Sequence, residues 1–169
     1  MRSIVRKARV FWPLLLVVLL TDCATKSAAV ESLSAEGPPH SVVGETVRFN
    51  LTYNDRGAMG LPLGPFAKEG LGVLGLVVAC FFFAWYRRAH PGDILLAAAT
   101  SLYIAGALGN GWGRIFSPLG VVDFIDLGLG RYRFWTFNVA DVALTVAVGL
   151  LFILFVRDDR RQKLSGAAL

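Results

Sequence analysis

The 169-residue chain is poor in the residues that build most nucleophilic and metal sites. It has only two cysteines, Cys23 and Cys80, and two histidines, His40 and His90. No Cys/His spacing typical of a metal site occurs, so we expect no metal and no cofactor. The two cysteines fall at different depths of two hydrophobic runs, which argues against a disulfide. A Ser/His or Cys/His mechanism on the extracytoplasmic side of the membrane would have only His40, which lies in a proline-rich loop.

Charge is also scarce, and its absence defines the class of protein. Charged residues make up 17% of the chain and hydrophobic residues 55%. A helix needs about 20 apolar residues to cross a bilayer, and four runs approach that length. We therefore predict an all-α membrane protein, folded as one domain over residues 1–169. The predicted transmembrane helices cover residues 10–30, 70–86, 93–109 and 135–156, with extracytoplasmic segments at 31–69 and 110–134.

The basic residues predict the orientation of these helices. Lys and Arg concentrate in short segments before the first run, between the second and third, and after the fourth, and such segments usually lie in the cytoplasm. Both termini are therefore predicted to be cytoplasmic. The net charge of +5 then follows from membrane topology, and no nucleic-acid partner is needed to explain it. The Lys and Arg residues of the three predicted cytoplasmic segments are Arg2, Arg6, Lys7, Arg9, Arg87, Arg88, Arg157, Arg160, Arg161 and Lys163.

The two extracytoplasmic segments carry signs of extended structure. Apolar and polar residues alternate from Val47 to Tyr53, which is the period of a half-buried strand. The second segment begins glycine-rich, in the letters GNGWGR, and continues in a pattern typical of short strands and turns. Within it we interpret Asp126 as a solvated turn residue.

Costly polar residues gather at the extracytoplasmic side. Asp141 is the only ionisable residue inside the fourth run, and such a residue suggests a functional site because its burial in a membrane is expensive. Asn138 lies three residues earlier, on the same predicted helix face. Asp123, from the second external segment, would bring a second carboxylate to this side, and two close carboxylates share a proton. The other polar candidates on this side are Asp22, Lys26, Asn54, Asn110 and Arg114.

Five short motifs resemble, in order, those of one family. They are DCATK (22–26), NDRGAMG (54–60), GALGNGWGR (106–114), VVDFI (121–125) and FNVAD (137–141). The chain thereby resembles lipoprotein signal peptidase, also called signal peptidase II, over residues 10–156. The resemblance implies an intramembrane aspartic peptidase of the bacterial inner membrane, with a small extracytoplasmic β-cradle.

The resemblance also implies roles for individual residues. Asp123 and Asp141 correspond to the family's catalytic dyad. The implied substrates are diacylglyceryl-modified prolipoproteins, which are cut just before the lipid-bearing cysteine. The implied surroundings of the enzyme are membrane lipids. It further implies inhibition by globomycin-type cyclic peptides and a monomeric enzyme. The family's supporting polar residues map onto Asp22, Lys26, Asn54, Asn110, Arg114 and Asn138.

Two departures keep alternatives open. Gly113 stands where the family usually has Asp before its Arg, and Arg56 and Met59 alter the second motif. A catalytically weakened homologue and a non-enzymatic four-helix membrane protein are therefore alternatives. A third reading, in which residues 1–22 are the signal peptide of a lipoprotein, fails because three long apolar runs follow Cys23. It also requires a small residue before that cysteine, and Asp22 is charged.

Overall fold

The computed structural model describes residues 4–55 and 66–166, so Arg56 and Met59 of the second motif lie outside the described residues. The described chain forms four long helices and a small antiparallel sheet of strand order β1-β2-β3-β4. In chain order the elements are α1 (Ile4–Ser32), β1 (His40–Val43), β2 (Val47–Asn54), α2 (Ala67–Arg88), α3 (Ile94–Phe116), β3 (Val121–Leu129), β4 (Tyr132–Arg133) and α4 (Val139–Gly166).

Each of the four helices contains a segment long and apolar enough to cross a membrane. Together with the small sheet, this confirms the predicted fold class. Helix α3 packs against each of the other three helices and is the most enclosed, with 61% of its apolar segment buried against 11–17% in the others. The outer faces of α1, α2 and α4 therefore remain for lipid.

The third helix is longer than its glycines predict. Helix α3 continues to Phe116, so Asn110 and Arg114 lie in its last two turns and the second external segment begins later than expected. Each helical glycine costs about 1 kcal/mol relative to alanine, which is why GNGWGR suggested turns. The close packing of small residues against neighbouring elements offsets that cost: a Cβ on Gly109 would lie 2.6 Å from an Asp22 carboxylate oxygen.

The end of the bundle opposite the sheet is tied by a buried lysine. Lys7 of α1 is only 7% exposed, and its ammonium donates hydrogen bonds to the carbonyl oxygens of Tyr86 and Ala89, both at 2.6 Å. These carbonyls end α2, where unpaired acceptors favour a cation. The ring of Tyr86 stacks on Phe11 with centroids 3.9 Å apart, which fixes α1 against α2.

The sheet crosses the other end of the bundle, which we call the sheet end. Strands β2 and β3 pair antiparallel with Thr52 opposite Asp123. Strand β3 also bonds the segment that precedes α4: the amides of Phe124 and Ile125 donate to the Phe137 carbonyl at 3.0 and 2.8 Å. This pairing places β3 directly beside the first turn of α4.

Candidate active site

Helix α4 begins with a reciprocal cap between two of the predicted site residues. The Asp141 amide donates to the Asn138 side-chain oxygen at 3.0 Å, and the Asn138 amide donates back to Asp141 Oδ2 at 3.1 Å. This is the pattern of a capping box, here built from Asn and Asp. The helix itself thus begins at Val139, and Asn138 precedes it rather than lying within its first turns, as we had expected.

The Asn138 side chain also reaches the second carboxylate. Its amide nitrogen donates to Asp123 Oδ1 at 2.7 Å, and Asn54 donates to Asp123 Oδ2 at 3.2 Å. Asn138 is fully buried and Asp123 is 3% exposed. One asparagine therefore connects both carboxylates, Asp123 through its side chain and Asp141 through its backbone amide.

Helix α3 supplies the other support for Asp141. The Asn110 side-chain nitrogen donates to Asp141 Oδ1 at 2.8 Å. The Asn110 side-chain oxygen accepts hydrogen bonds from the Asn138 side chain and from the Lys26 ammonium, both at 3.0 Å. Each oxygen of Asp123 and Asp141 thus accepts one hydrogen bond from an amide. A carboxylate oxygen has two lone-pair sites, so each retains one for a further partner.

Asp22 and Lys26 join α1 to this network. Asp22 is 2% exposed; its Oδ2 pairs with Lys26 Nζ at 2.7 Å, and its Oδ1 accepts from the Ala140 amide at 2.9 Å. Asp22 therefore caps the first turn of α4 from another helix, where a negative charge also complements the helix dipole. Lys26 in turn donates to the Gly109 carbonyl at 3.0 Å, so α1, α3 and α4 meet at these two residues.

Asp123 is electrostatically unusual for an aspartate. Burial raises its pKa, and the nearby charge of Asp141 raises it further, to about 6, although hydrogen bonds from Asn54 and Asn138 oppose the shift. A carboxyl with such a pKa exchanges its proton near neutral pH, which suits general acid and base chemistry.

A cavity of about 1150 Å³ opens onto both carboxylates. Arg114 lines it from α3, beside Asn110 and Asp141, and its positive charge acts on Asp141. Below the carboxylates the walls are mostly apolar, supplied by α2, α3 and α4. A largely apolar cavity that contains a pair of carboxylates fits an apolar chain with one reactive polar group.

The structure overturns the interpretation of Asp126, which was not a candidate site residue. It was expected to be a solvated turn residue, yet it lies in β3 and is 4% exposed. Arg48 and Arg133 both bind it at 2.7 Å. The reason is the antiparallel register, in which Arg48 of β2 stands opposite Asp126, and this contact could not be seen from the sequence.

The structure brings the predicted polar residues to one place at the sheet end. Seven of them form a continuous hydrogen-bonded network, and Arg114 borders the same cavity. Within the residues that the structure describes, no group of three or more His, Cys, Asp and Glu side chains could hold a metal. The sequence contained one signal that we had not used: the spacing Asn-x-x-Asp is that of a capping box. The seven residues are Asp22, Lys26, Asn54, Asn110, Asp123, Asn138 and Asp141.

A buried and a half-buried carboxylate at one end of four membrane-length helices are typical of a membrane-embedded aspartic protease. Comparison with known proteins gives the family. The family model described as signal peptidase (SPase) II matches residues 14–157. The chain therefore belongs to the signal peptidase II family and is a multi-pass bacterial membrane protease.

Individual relatives agree with the family model over most of the chain. The lipoprotein signal peptidase of Anoxybacillus flavithermus is 34% identical over 159 residues, covering 94% of this chain and 92% of its own. That of Staphylococcus carnosus is 36% identical over 151 residues, covering 88% and 91%. A solved structure described as a bacterial membrane enzyme superposes with a TM-score of 0.73 at 27% identity, covering 86% of this chain and 91% of that one.

Proposed function

We propose that the chain cleaves signal peptides from prolipoproteins and that Asp123 and Asp141 are its catalytic dyad. The observation that carries this proposal is the double attachment of Asn138, which holds Asp123 at 2.7 Å and Asp141 at 3.1 Å. One residue thereby binds both carboxyls, Asp123 by its side-chain amide and Asp141 by its backbone amide. The raised pKa of Asp123 supports the proposal as well, because one carboxyl of a working dyad must hold a proton.

In this mechanism a water molecule lies between the two carboxyl groups. The ionised carboxylate takes a proton from the water as the water oxygen attacks the carbonyl carbon of the scissile peptide bond. The protonated carboxyl stabilises the developing oxyanion and, through the shared proton, the amide nitrogen is protonated before the C–N bond breaks. The products are a carboxylic acid on the signal peptide and a free amine on the mature protein. The supporting amides of Asn54, Asn110 and Asn138 keep the carboxyl oxygens oriented throughout.

The proposed substrate is a prolipoprotein whose cysteine already carries a diacylglyceryl group, with the cut just before that cysteine. The apolar cavity walls suit a hydrophobic signal peptide and lipid chains. The distribution of Lys and Arg supports an orientation with both termini in the cytoplasm. The site would then face the extracytoplasmic surface of the inner membrane, where such substrates arrive.

Two further expectations accompany the proposal. A globomycin-type cyclic peptide would inhibit by occupying the cavity beside the dyad, and the monomer would be the active unit, since all residues of the network come from one chain. We expect Gly113 to leave the support of the dyad intact, because the hydrogen bonds to both carboxyls come from Asn54, Asn110 and Asn138.

The decisive experiment is processing of a reporter prolipoprotein in a bacterial strain depleted of its own enzyme. The wild-type chain should convert precursor to mature form, and Asp141→Asn should abolish conversion while remaining in the membrane at normal abundance. The same assay with purified protein and a lipidated reporter would exclude indirect effects.

A non-enzymatic membrane protein would give a different pattern. The wild-type chain would then leave the precursor unprocessed, and this result would refute the proposed function. Full processing by Asp141→Asn would refute the dyad while leaving a protease of another mechanism. Cys23→Ser is the matched control, because that thiol is exposed on α1 outside the network, and its processing should equal that of the wild type.

A further inference from the structure

The cavity extends well beyond the dyad along one face of α3. Arg114, Asn110, Ala107 and Tyr103 all line it, and their spacing of three to four residues places them on a single helix face. Tyr103 is the lining residue of α3 that lies farthest from the sheet end. It stands seven residues from Asn110, about 10 Å along the helix axis.

The part of the cavity near Tyr103 contains little else that is polar. Gly75 of α2 faces Ala107, one turn from Tyr103, and Leu144 and Val146 of α4 line the same cavity. Thr145 also lines this part, but its hydroxyl donates to the carbonyl of Asp141 at 2.8 Å in its own helix. Tyr103 thus supplies the hydroxyl that is left for a ligand in this stretch of wall.

The Tyr103 ring is held by packing rather than by its hydroxyl. It meets Phe82 edge-to-face with centroids 4.6 Å apart and packs against the buried core. None of the residues that the structure describes forms a hydrogen bond with this hydroxyl. Because Tyr103 lines the cavity, a ligand that enters the cavity can supply the acceptor for this hydroxyl.

A signal peptide has such acceptors at the corresponding distance. In the bilayer its apolar segment is helical, but the segment at the cut must be extended for the peptide bond to reach both carboxyls. The last turn of the helix then leaves carbonyl oxygens without partners. Extended chain advances about 3.3 Å per residue, so the 10 Å between the Asn110 and Tyr103 levels corresponds to about three residues.

We propose that Tyr103 is a positioning residue whose hydroxyl donates a hydrogen bond to a backbone carbonyl of the signal peptide, about three residues before the scissile bond. This inference rests on the proposed function and adds a contact to it. Because the acceptor is backbone, the contact would serve signal peptides of different sequence. It would also fix where the substrate helix ends, and hence which peptide bond lies between the carboxyls.

The test uses the full-length enzyme purified in detergent with a synthetic lipidated substrate. Tyr103→Phe removes the hydroxyl and keeps the ring that packs on Phe82. We expect KM to rise about three- to tenfold with kcat within twofold of wild type, since one neutral hydrogen bond to bound substrate is lost. Tyr86→Phe is the matched control: it removes a tyrosine hydroxyl at the opposite end of the bundle, and its KM should stay unchanged.

A second substrate series identifies the acceptor. Replacing one backbone carbonyl at a time by a thioamide, at the second, third and fourth residues before the cut, weakens that acceptor alone. The wild type should lose affinity at one of these positions, and Tyr103→Phe should show no further loss there, which is the signature of coupling.

The outcomes separate the two proposals. An unchanged KM for Tyr103→Phe, or a thioamide penalty equally large in both enzymes, overturns the role of Tyr103. A lower melting temperature with unchanged KM would likewise assign Tyr103 to packing only. A wild-type enzyme that fails to cleave any substrate refutes the proposed function itself.

Discussion

Strand β3 carries two buried aspartates that differ in everything except their burial. Asp123 and Asp126 are three residues apart and are 3% and 4% exposed. Because side chains alternate along a strand, an odd spacing sends them to opposite faces of the sheet. Asp123 thereby faces Asn138 and the first turn of α4, and Asp126 faces two arginines of the sheet.

The neighbours reverse the electrostatic effect of burial. Burial alone raises the pKa of Asp126, but hydrogen bonds from Arg48 and Arg133 outweigh it and hold that pKa below its usual value. Burial and the charge of Asp141 raise the pKa of Asp123 to about 6, and its hydrogen bonds come from neutral amides. Opposite charges stabilise the ionised form directly, whereas amides compensate burial only in part.

The comparison teaches that the partners of a buried carboxyl decide its use. Asp126 stays ionised and joins strands through ion pairs, so it serves the fold of the sheet. Asp123 can hold or release a proton near neutral pH, so it is available for chemistry. Burial alone would not distinguish them.

The largest expected effect separates the two aspartates by function. Asp123→Asn should lower kcat by about 10²–10⁴-fold, since it removes one member of an acid–base pair. Asp126→Asn should keep kcat within a few-fold of wild type, although it breaks a buried ion-pair cluster and lowers the free energy of unfolding by about 3 kcal/mol. Single-turnover cleavage of a lipidated reporter and thermal unfolding in detergent measure the two effects.

Equal losses of kcat in both variants would contradict the assignment of Asp123 to catalysis and of Asp126 to the stability of the sheet. Abundance in the membrane has to be measured alongside, so that rates refer to folded enzyme. Arg133→Lys offers a further check on the structural half of the comparison, because it keeps a positive charge near Asp126 while losing the planar guanidinium.

Much of this arrangement could be predicted because it depends on local pattern. Helix positions followed from apolar runs of membrane length, and the strand at Val47–Tyr53 from alternation. Asp141 stood out as an ionisable residue within an apolar run. The positions of Lys and Arg predict the side of the membrane on which the polar residues lie, and that orientation stays a prediction.

The rest depended on contacts between distant parts of the chain. The helical state of residues 110–116 required packing of α3 against its neighbours, which overrides the weak helix propensity of glycine. The ion pairs of Asp126 required the register of β2 on β3. The capping of α4 by Asp22 required α1 to lie beside the Ala140 amide, 118 residues away in sequence.

The next effect concerns stability as a function of pH. The folded state binds a proton at Asp123 more tightly than the unfolded chain does, because its pKa rises from 3.8 to about 6. The free energy of unfolding should therefore fall as pH rises through this window, by about 3 kcal/mol in total. Melting temperatures between pH 4 and pH 6.5 measure the slope, and Asp123→Asn should flatten it.

Asp126 provides the control of opposite sign. Its pKa is lowered by folding, so its stabilisation is complete above the unfolded pKa and is lost only as pH falls further. Asp126→Asn should thus lower the melting temperature and leave the slope between pH 4 and pH 6.5 as in the wild type. A slope that Asp123→Asn leaves intact would assign the pH dependence to another group.

The smallest expected effect comes from Gly113, where the family usually has Asp. A Cβ on Gly113 would lie 2.9 Å from the Gly120 carbonyl oxygen and 3.0 Å from the Val121 Cα. These are backbone atoms at the start of β3, which cannot yield as a flexible side chain would. Gly113→Ala should therefore cost about 1–3 kcal/mol of unfolding free energy through overpacking. Thermal unfolding of the purified variant measures this loss.

The same substitution tests how β3 transmits displacement to its two aspartates. Gly113 touches the strand two residues before Asp123, so kcat should fall several-fold in both Gly113→Ala and Gly113→Asp. Gly149→Ala is the control, because no heavy atom lies within 4 Å of its added Cβ and alanine favours a helix. A gain of activity in Gly113→Asp would instead mean that the strand yields and that the missing carboxylate limits this enzyme. The close contact of α3 with β3 predicts the reverse, since a side chain at position 113 would press on the strand that holds Asp123.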